Sequence, residues 1–246
     1  MSDRQHIDDI LRQWPYESDH LSARLIPAED GREVIQIRID MGVMQLEVDG
    51  RPDGCRPGGA ESYYDHLLSL AIQHGDDFTL TDEQCAEIDR EFIQYYHRRI
   101  AWLALREFRR ASEDAQHTLG LMDFCHRHSA DEQWTLSHEQ YRPFVLFHLT
   151  QARTMWKLEE GGAEAAIQEV NDGLARFREM YAEYEAEEQF EEDELAGRLI
   201  DLRETLREDH QVGRTLHERL ADAVAAEQYE LAARLRDEIV RRQASP

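Results

Sequence analysis

The chain has 246 residues, room for one large domain or two small ones, and 41% of them are hydrophobic, enough for a buried core. Asp and Glu number 52 against 28 Lys and Arg, a formal net charge of -24. A field of that sign repels phosphate backbones and anionic membrane surfaces, which argues against broad nucleic-acid binding and against membrane adhesion.

Residues 4–13 read as a short helix with Ile7, Ile10 and Leu11 on one face, ended by Trp14-Pro15. The N-terminal Met1-Ser2-Asp3-Arg4 leads into no apolar signal core, and no apolar run approaches the roughly 20 residues of a membrane span. Residues 21–60 carry the strand periodicity. Ile35, Ile37 and Ile39 alternate with Gln36, Arg38 and Asp40, and Met44, Leu46 and Val48 alternate with Gln45, Glu47 and Asp49. The parity flips across Met41-Gly42-Val43, as a hairpin turn requires. A weaker strand covers Ser22–Ile26. Asp49-Gly50-Arg51-Pro52-Asp53-Gly54 and Arg56-Pro57-Gly58-Gly59 are turn formers that end the hairpin.

From Glu61 onward the pattern is helical, at about 61–74, 82–105, 108–128, 138–159, 163–189, 193–210, 213–226 and 229–243. Gly75-Asp76, His128-Ser129 and Gly161-Gly162 are the breaks. Two stretches resemble one another. In Tyr95–Ala111 and in Thr150–Ala166, an aromatic-bearing helix meets a tight turn, and a second helix opens with a small residue at its packing position, Ala111 or Ala166. This resembles the tetratricopeptide helix–turn–helix repeat, with the extra spacing taken up by an insertion around Ser129–Pro143. The three cysteines, Cys55, Cys85 and Cys125, lie far apart and fit free thiols in a reducing cytoplasm.

Residues 179–194 hold nine acidic side chains and no basic one, the composition of a solvated helix face or tether. Leu195, Leu199, Leu202 and Leu206 follow at 4–3–4 spacing. Leu216, Leu220 and Ala223 keep that register, but Asp209 and Gly213 interrupt it, so the helix is expected to break near 209–213.

The last segment contains Glu227-x-Tyr229-Glu230-x-Ala232-Ala233-x-Leu235-Arg236-Asp237-x-Ile239. It resembles the UVR motif of the excision-repair proteins UvrB and UvrC, which also occurs in some Clp-family unfoldases and in the kinase activator McsA. Leu216, Leu220, Ala223 and Val224 make one apolar stripe; Leu231, Ala232, Leu235 and Ile239 make another. Glu227 and Gln228 sit at the turn, Tyr229 is expected to pack across the joint, and Glu230 stands four residues before Arg234, the favoured spacing for a helical ion pair. The resemblance implies a two-helix hairpin that docks on a protein partner, either another motif of this kind or a second copy of itself. Leu220, Val224, Glu227, Tyr229, Glu230, Ala232, Leu235, Arg236 and Ile239 are the candidate contact residues. The plain alternative is that the stripes pack on the chain's own helices.

Other residue clusters are weighed against ordinary structural roles. Arg51 and Arg56 in the Gly-rich segment can cradle an anion or simply connect elements. Asp40, Glu47, Asp49 and Asp53 can hold a cation or line a solvated strand face. Asp123 with Cys125-His126-Arg127-His128 has metal-ligand residue types but matches no closed zinc spacing, and a helix end is the simpler reading. Tyr95, Tyr96, Trp102, Trp134, Trp156 and Phe177 are core residues or the lining of a peptide groove. No GxxxxGK[ST], GxSxG or HExxH pattern is present.

The expectation is a mainly α protein with a small N-terminal β-hairpin, a helical-pair body and a C-terminal helical hairpin. Its segments are 1–60, 61–178, an acidic tether over 179–212, and the hairpin over 213–246. The function expected is a non-catalytic cytoplasmic adaptor or regulator that needs no cofactor or metal. Alternatives are a small-ligand or anion-binding protein or enzyme with its site at the junction of the N-terminal hairpin and the helices, and an accessory factor in nucleotide-excision repair.

Overall fold

The computed structural model describes residues 6–243. Among them the order is α1 (Asp8–Gln13), β1 (Ser22–Pro27), β2 (Glu33–Ile39), β3 (Gly42–Glu47), α2 (Tyr63–His74), α3 (Asp82–Ala104), α4 (Phe108–His128), α5 (Glu132–Glu139), α6 (Arg142–Glu183), α7 (Glu194–His210), α8 (Leu216–Ala225) and α9 (Tyr229–Gln243). The fold is mainly α, with a small N-terminal sheet and a C-terminal helical hairpin. No helix is long and apolar enough to cross a membrane. The chain divides into two compact units, Met1–Ala152 and Arg153–Pro246, with the boundary inside α6.

In the first unit the strands form an antiparallel meander in the order β1-β2-β3. The expected hairpin and the weaker first strand are both present, and Asp40-Met41 is the two-residue turn between Ile39 and Gly42. One face carries Ala23 and Leu25 beside Ile35 and Ile37, which pair with Leu46 and Met44. This face packs on Ala101, Trp102 and Ala111 of α3 and α4. The sheet therefore shares a core with the helices, and no boundary falls at residue 60.

The opposite face is polar but not solvated, contrary to expectation for the middle strand. Gln36 and Arg38 are both buried. Arg24 donates to Gln36 Oε1, and Gln36 Nε2 donates to Gln45 Oε1 at 3.0 Å, a ladder across all three strands. The segment after α1 covers it: Trp14 lies 4.2 Å from the Arg24 guanidinium, and the Trp14 carbonyl accepts from Arg38 Nε at 2.7 Å.

Helices α3 and α4 form the predicted tight pair. The turn ends α3 with Arg106 in the left-handed region (φ 61°), the Arg106 N–H on Leu103 O and the Glu107 N–H on Trp102 O. This is a Schellman ending built without glycine. Leu67, Ile88, Phe92, Leu121, Met122 and Val145 join a second core among α2, α3, α4 and α6. The short helix α5 occupies the stretch expected to be an insertion, capped by Asp131, which accepts from the Trp134 N–H.

Buried charge fixes the rest. Glu91 of α3 is fully buried and accepts from the Tyr63 and Tyr64 N–H groups at 2.7 and 2.9 Å, the free amides at the start of α2. It also meets His117 Nε2 at 3.0 Å and Arg51 Nε at 3.3 Å. One face further along α3, Arg98 binds both Asp114 oxygens and donates to the carbonyls of Glu47 and Gly50. Burial lowers the Arg98 guanidinium, but Asp114 more than offsets this and holds it above its ordinary value.

In the second unit, Gly162 (φ 77°, ψ -177°) breaks α6 where Gly161-Gly162 was expected to end a helix. Only glycine adopts that conformation without strain. Beyond the break, Ile167, Val170, Leu174 and Phe177 form a buried stripe. The acidic stretch is no loose tether. A short 3-10 helix, Glu187–Glu192, buries Phe190 beneath the Arg178 guanidinium at 4.4 Å, and Tyr181 Oη donates to Asp193 Oδ2 at 2.6 Å. The expected break near 209–213 is present, with Gln211 in the left-handed region at the end of α7.

Removing one partner of a buried ion pair strands the others. Glu91→Ala leaves the two helix-start amides without their acceptor and takes from Arg51 one of its three carboxylates. We expect a loss of about 3 kcal/mol in unfolding free energy, measured by urea denaturation followed through Trp102 and Trp134 fluorescence.

Candidate interaction hairpin

Helices α8 and α9 pack against each other as an antiparallel pair. Their inner faces supply Leu216 and Ala223 from one helix and Ala232, Leu235 and Ile239 from the other, all buried, with Leu220 partly so. Of the candidate contact residues, Ala232, Leu235 and Ile239 are thus the hairpin's own core rather than an open surface. Ala232, with its single methyl group, lets the helices approach.

The turn between the helices is a Schellman ending. Glu227 occupies the left-handed region (φ 56°), its N–H donates to Val224 O at 3.0 Å, and the Gln228 N–H donates to Ala223 O at 2.8 Å. The turn sits where the sequence placed it, but Tyr229 does not pack across it. Tyr229 is 68% exposed. Val224 at 52%, Leu231 at 42% and Val240 at 57% are exposed too. Leu231, assigned from the sequence to the inner stripe, lies at its edge, one turn before Leu235, and stays outside the buried cluster. Glu227, Glu230 and Arg236 are exposed. Arg236 bonds Asp237, whereas Glu230 and Arg234 form no ion pair. Glu227, Gln228, Tyr229, Glu230, Leu231 and Arg234 line a surface depression of about 480 Å³ at the apex.

The other end of the hairpin is anchored within its unit. Thr215 caps α8 through a reciprocal capping box: its hydroxyl accepts from the Glu218 N–H at 3.2 Å, and Glu218 Oε2 accepts from the Thr215 N–H at 2.8 Å. The second Glu218 oxygen accepts from Asn171 Nδ2 of α6 at 3.0 Å and from Arg207 of α7. Asn171 in turn accepts from Arg203 of α7 at 3.1 Å. Glu218 is the anchoring residue that the sequence reading passed over. Its signal was the Thr215-x-x-Glu218 box before an apolar run.

The remaining candidates are placed as follows. Arg51 is buried against Asp53, Glu87 and Glu91, and Arg56 is paired with Glu61, so carboxylates already occupy both expected anion ligands. Glu47 is paired with Arg32, and Asp53 accepts from Gln94 and the Cys55 N–H, so the four strand-end carboxylates form no common cluster. Cys125 is buried, which pushes its thiol well up, and His128 rests against Phe78 O at the end of α4. Among the described residues, the group of potential metal ligands is Glu17, Asp19 and His20, all exposed and elsewhere. Trp102 and Phe177 are core, Tyr95 stacks on His117 at 3.7 Å, and Tyr96 faces a cavity.

Two measurements test this geometry. Burial raises the Glu218 carboxyl, but the Thr215 N–H, Asn171 and the Arg207 and Arg203 charges more than offset it and hold it below its ordinary value of 4.5. A depressed carboxylate stabilises the fold fully above that ordinary value and ceases to do so as pH falls through the lowered one. The α8 amide resonances should therefore shift in a titration below pH 4.5, and Glu218→Gln should abolish that dependence. Thr215→Ala removes the cap and should cost about 1 kcal/mol, read as a lower thermal midpoint.

Residues 214–244 match the family model described as the UvrB/uvrC motif. No curated protein and no solved structure matches the chain. The α8–α9 hairpin, with its internal core, glutamate-bearing turn and exposed outer face, is a UVR motif.

Proposed function

We propose that this protein is a non-catalytic adaptor or regulator of the cytoplasm that binds a protein partner through exposed side chains of its UVR hairpin. One observation carries the reading: the hairpin satisfies its own core and caps, yet leaves Val224, Tyr229, Leu231 and Val240 exposed. Tyr229 combines a large apolar face with a polar tip, the residue type most enriched where protein surfaces meet. The partner proposed is another UVR-type hairpin, on a second protein or a second copy of this chain, because motifs of this kind are the surfaces the resemblance leads one to expect opposite these side chains. The charge of -24 argues for protein contact over nucleic acid.

The test uses the full chain. Sedimentation of the chain alone and mixed with a protein bearing a UVR motif measures both forms of pairing. Tyr229→Ser with Leu231→Asp should weaken association at least tenfold while the circular dichroism stays unchanged, because both side chains lie outside the core. If no association occurs, or if the double variant associates as well as the parent, the reading fails.

A further inference from the structure

A cavity of about 650 Å³ opens in the first unit where α3, α4, α5 and the start of α6 meet. Phe92, Tyr96, Met122, Phe144 and Val145 wall it. That volume lies in the range of small-molecule sites. Its rim is apolar as well, for Ile93 and Tyr141 both line it and are each 58% exposed.

Arg99 also lines this cavity, although the residue is only 2% exposed. Its Nε donates to His148 Nδ1 at 3.2 Å and its Nη1 to Thr118 Oγ1 at 3.0 Å, both neutral acceptors. Among the described residues, Nη2 has no acceptor, and no carboxylate lies within ion-pair distance of the guanidinium. Of the other buried arginines of this unit, Arg38 gives its N–H groups to the carbonyls of Trp14, Ile39, Asp40 and Gly42, and the other two meet carboxylates. Arg98 has Asp114, and Arg51 has three carboxylates. Burial pulls the Arg99 guanidinium down to about 10, against the opposing influence of Asp114 and Tyr96, so it remains cationic at neutral pH. The one carboxylate on the cavity wall, Asp89, is already held by Trp134 Nε1 and His138 Nε2, both at 2.9 Å.

A buried cation without a directly paired carboxylate is costly. Here that cation borders an apolar space large enough for a ligand. We propose that the cavity binds a small amphipathic monocarboxylate, its carboxylate on Arg99 and its hydrocarbon part against Phe92, Tyr96, Met122 and Phe144. A single negative charge balances Arg99, whereas a dianion would bring a second charge toward Asp89. This site is separate from the UVR hairpin and independent of the proposed function.

The probes are decanoate, decanol and decyltrimethylammonium, which share a chain length and differ in head-group charge. Titration calorimetry of the full chain should show decanoate binding at least tenfold more tightly than decanol, and no binding of the ammonium. Arg99→Met should weaken decanoate at least tenfold and leave decanol unchanged or tighter. Ile93→Glu, at an exposed rim position that the fold does not need, should weaken decanoate and decanol together. Equal affinity for decanoate and decanol, absence of decanoate binding, or decanoate binding indifferent to either substitution would overturn the proposal.

Discussion

The first unit depends on two charges buried along the inward side of α3. Glu91 and Arg98 lie seven residues apart, two turns of helix, and so project in nearly the same direction. Isolated, each would be expensive to bury. Each is instead surrounded by several partners from different elements: α2 amides, His117 and Arg51 for one, Asp114 and two carbonyls for the other. The consequence is that the segment after β3, which has almost no apolar residues, is fixed as firmly as a core loop. Gly50 is the point of closest approach. Its carbonyl receives both Arg98 Nη1 and Tyr95 Oη, its φ is 65°, and a Cβ there would run into the Arg56 guanidinium. The loop is a fastening between sheet and helices, and its glycines serve that geometry rather than an anion.

Local patterns were legible wherever the determining contacts were local. Alternation placed Ile35 and Ile37 on one face and located the hairpin turn, and Gly161-Gly162 marked a break that only a glycine conformation permits. The UVR segment was readable because its identity lies in thirteen consecutive positions. The sequence misled where the decisive partner was remote. Arg51 looked like a free cation because Glu87 and Glu91 lie 36 and 40 residues away. The polar side of β2 looked solvated because Trp14, which covers it, precedes it by more than twenty residues. Helix α5 went unseen since its eight residues carry too few apolar positions for a period to emerge.

The acidic stretch of the second unit shows how little apolar material is needed to order a charged segment. Of its three aromatic residues, Tyr181, Tyr184 and Phe190, only Phe190 is buried, beside Tyr181 and under Arg178, where the chain turns between α6 and α7. Asp193 then joins the two roles, accepting from Tyr181 Oη on one side and capping α7 through the Ala196 N–H on the other. Glu185 and Gln211 close the flanking helices in the left-handed region, as Glu227 does in the hairpin. Each of these non-glycine caps costs roughly 1 kcal/mol relative to glycine. All three side chains are exposed, so none of them gives its turn anything that glycine would not.

The hairpin therefore separates two kinds of motif position that a sequence match treats alike. Ala232, Leu235 and Ile239 specify the fold of the pair, and changing them would unmake the hairpin before it altered any partner. Glu227, Tyr229, Glu230 and Arg236 are exposed and contribute to no internal core. Of the exposed apolar residues, Leu231 falls at an open position of the Glu227–Ile239 pattern, while Val224 and Val240 flank that pattern within the matched residues 214–244. In the proposed reading, this divides the labour. The inner positions hold the scaffold and the exposed ones are available for contact. Val224, Leu231 and Val240 can therefore be changed without touching the hairpin's buried cluster, and in that reading they are where a difference of affinity between partners would arise.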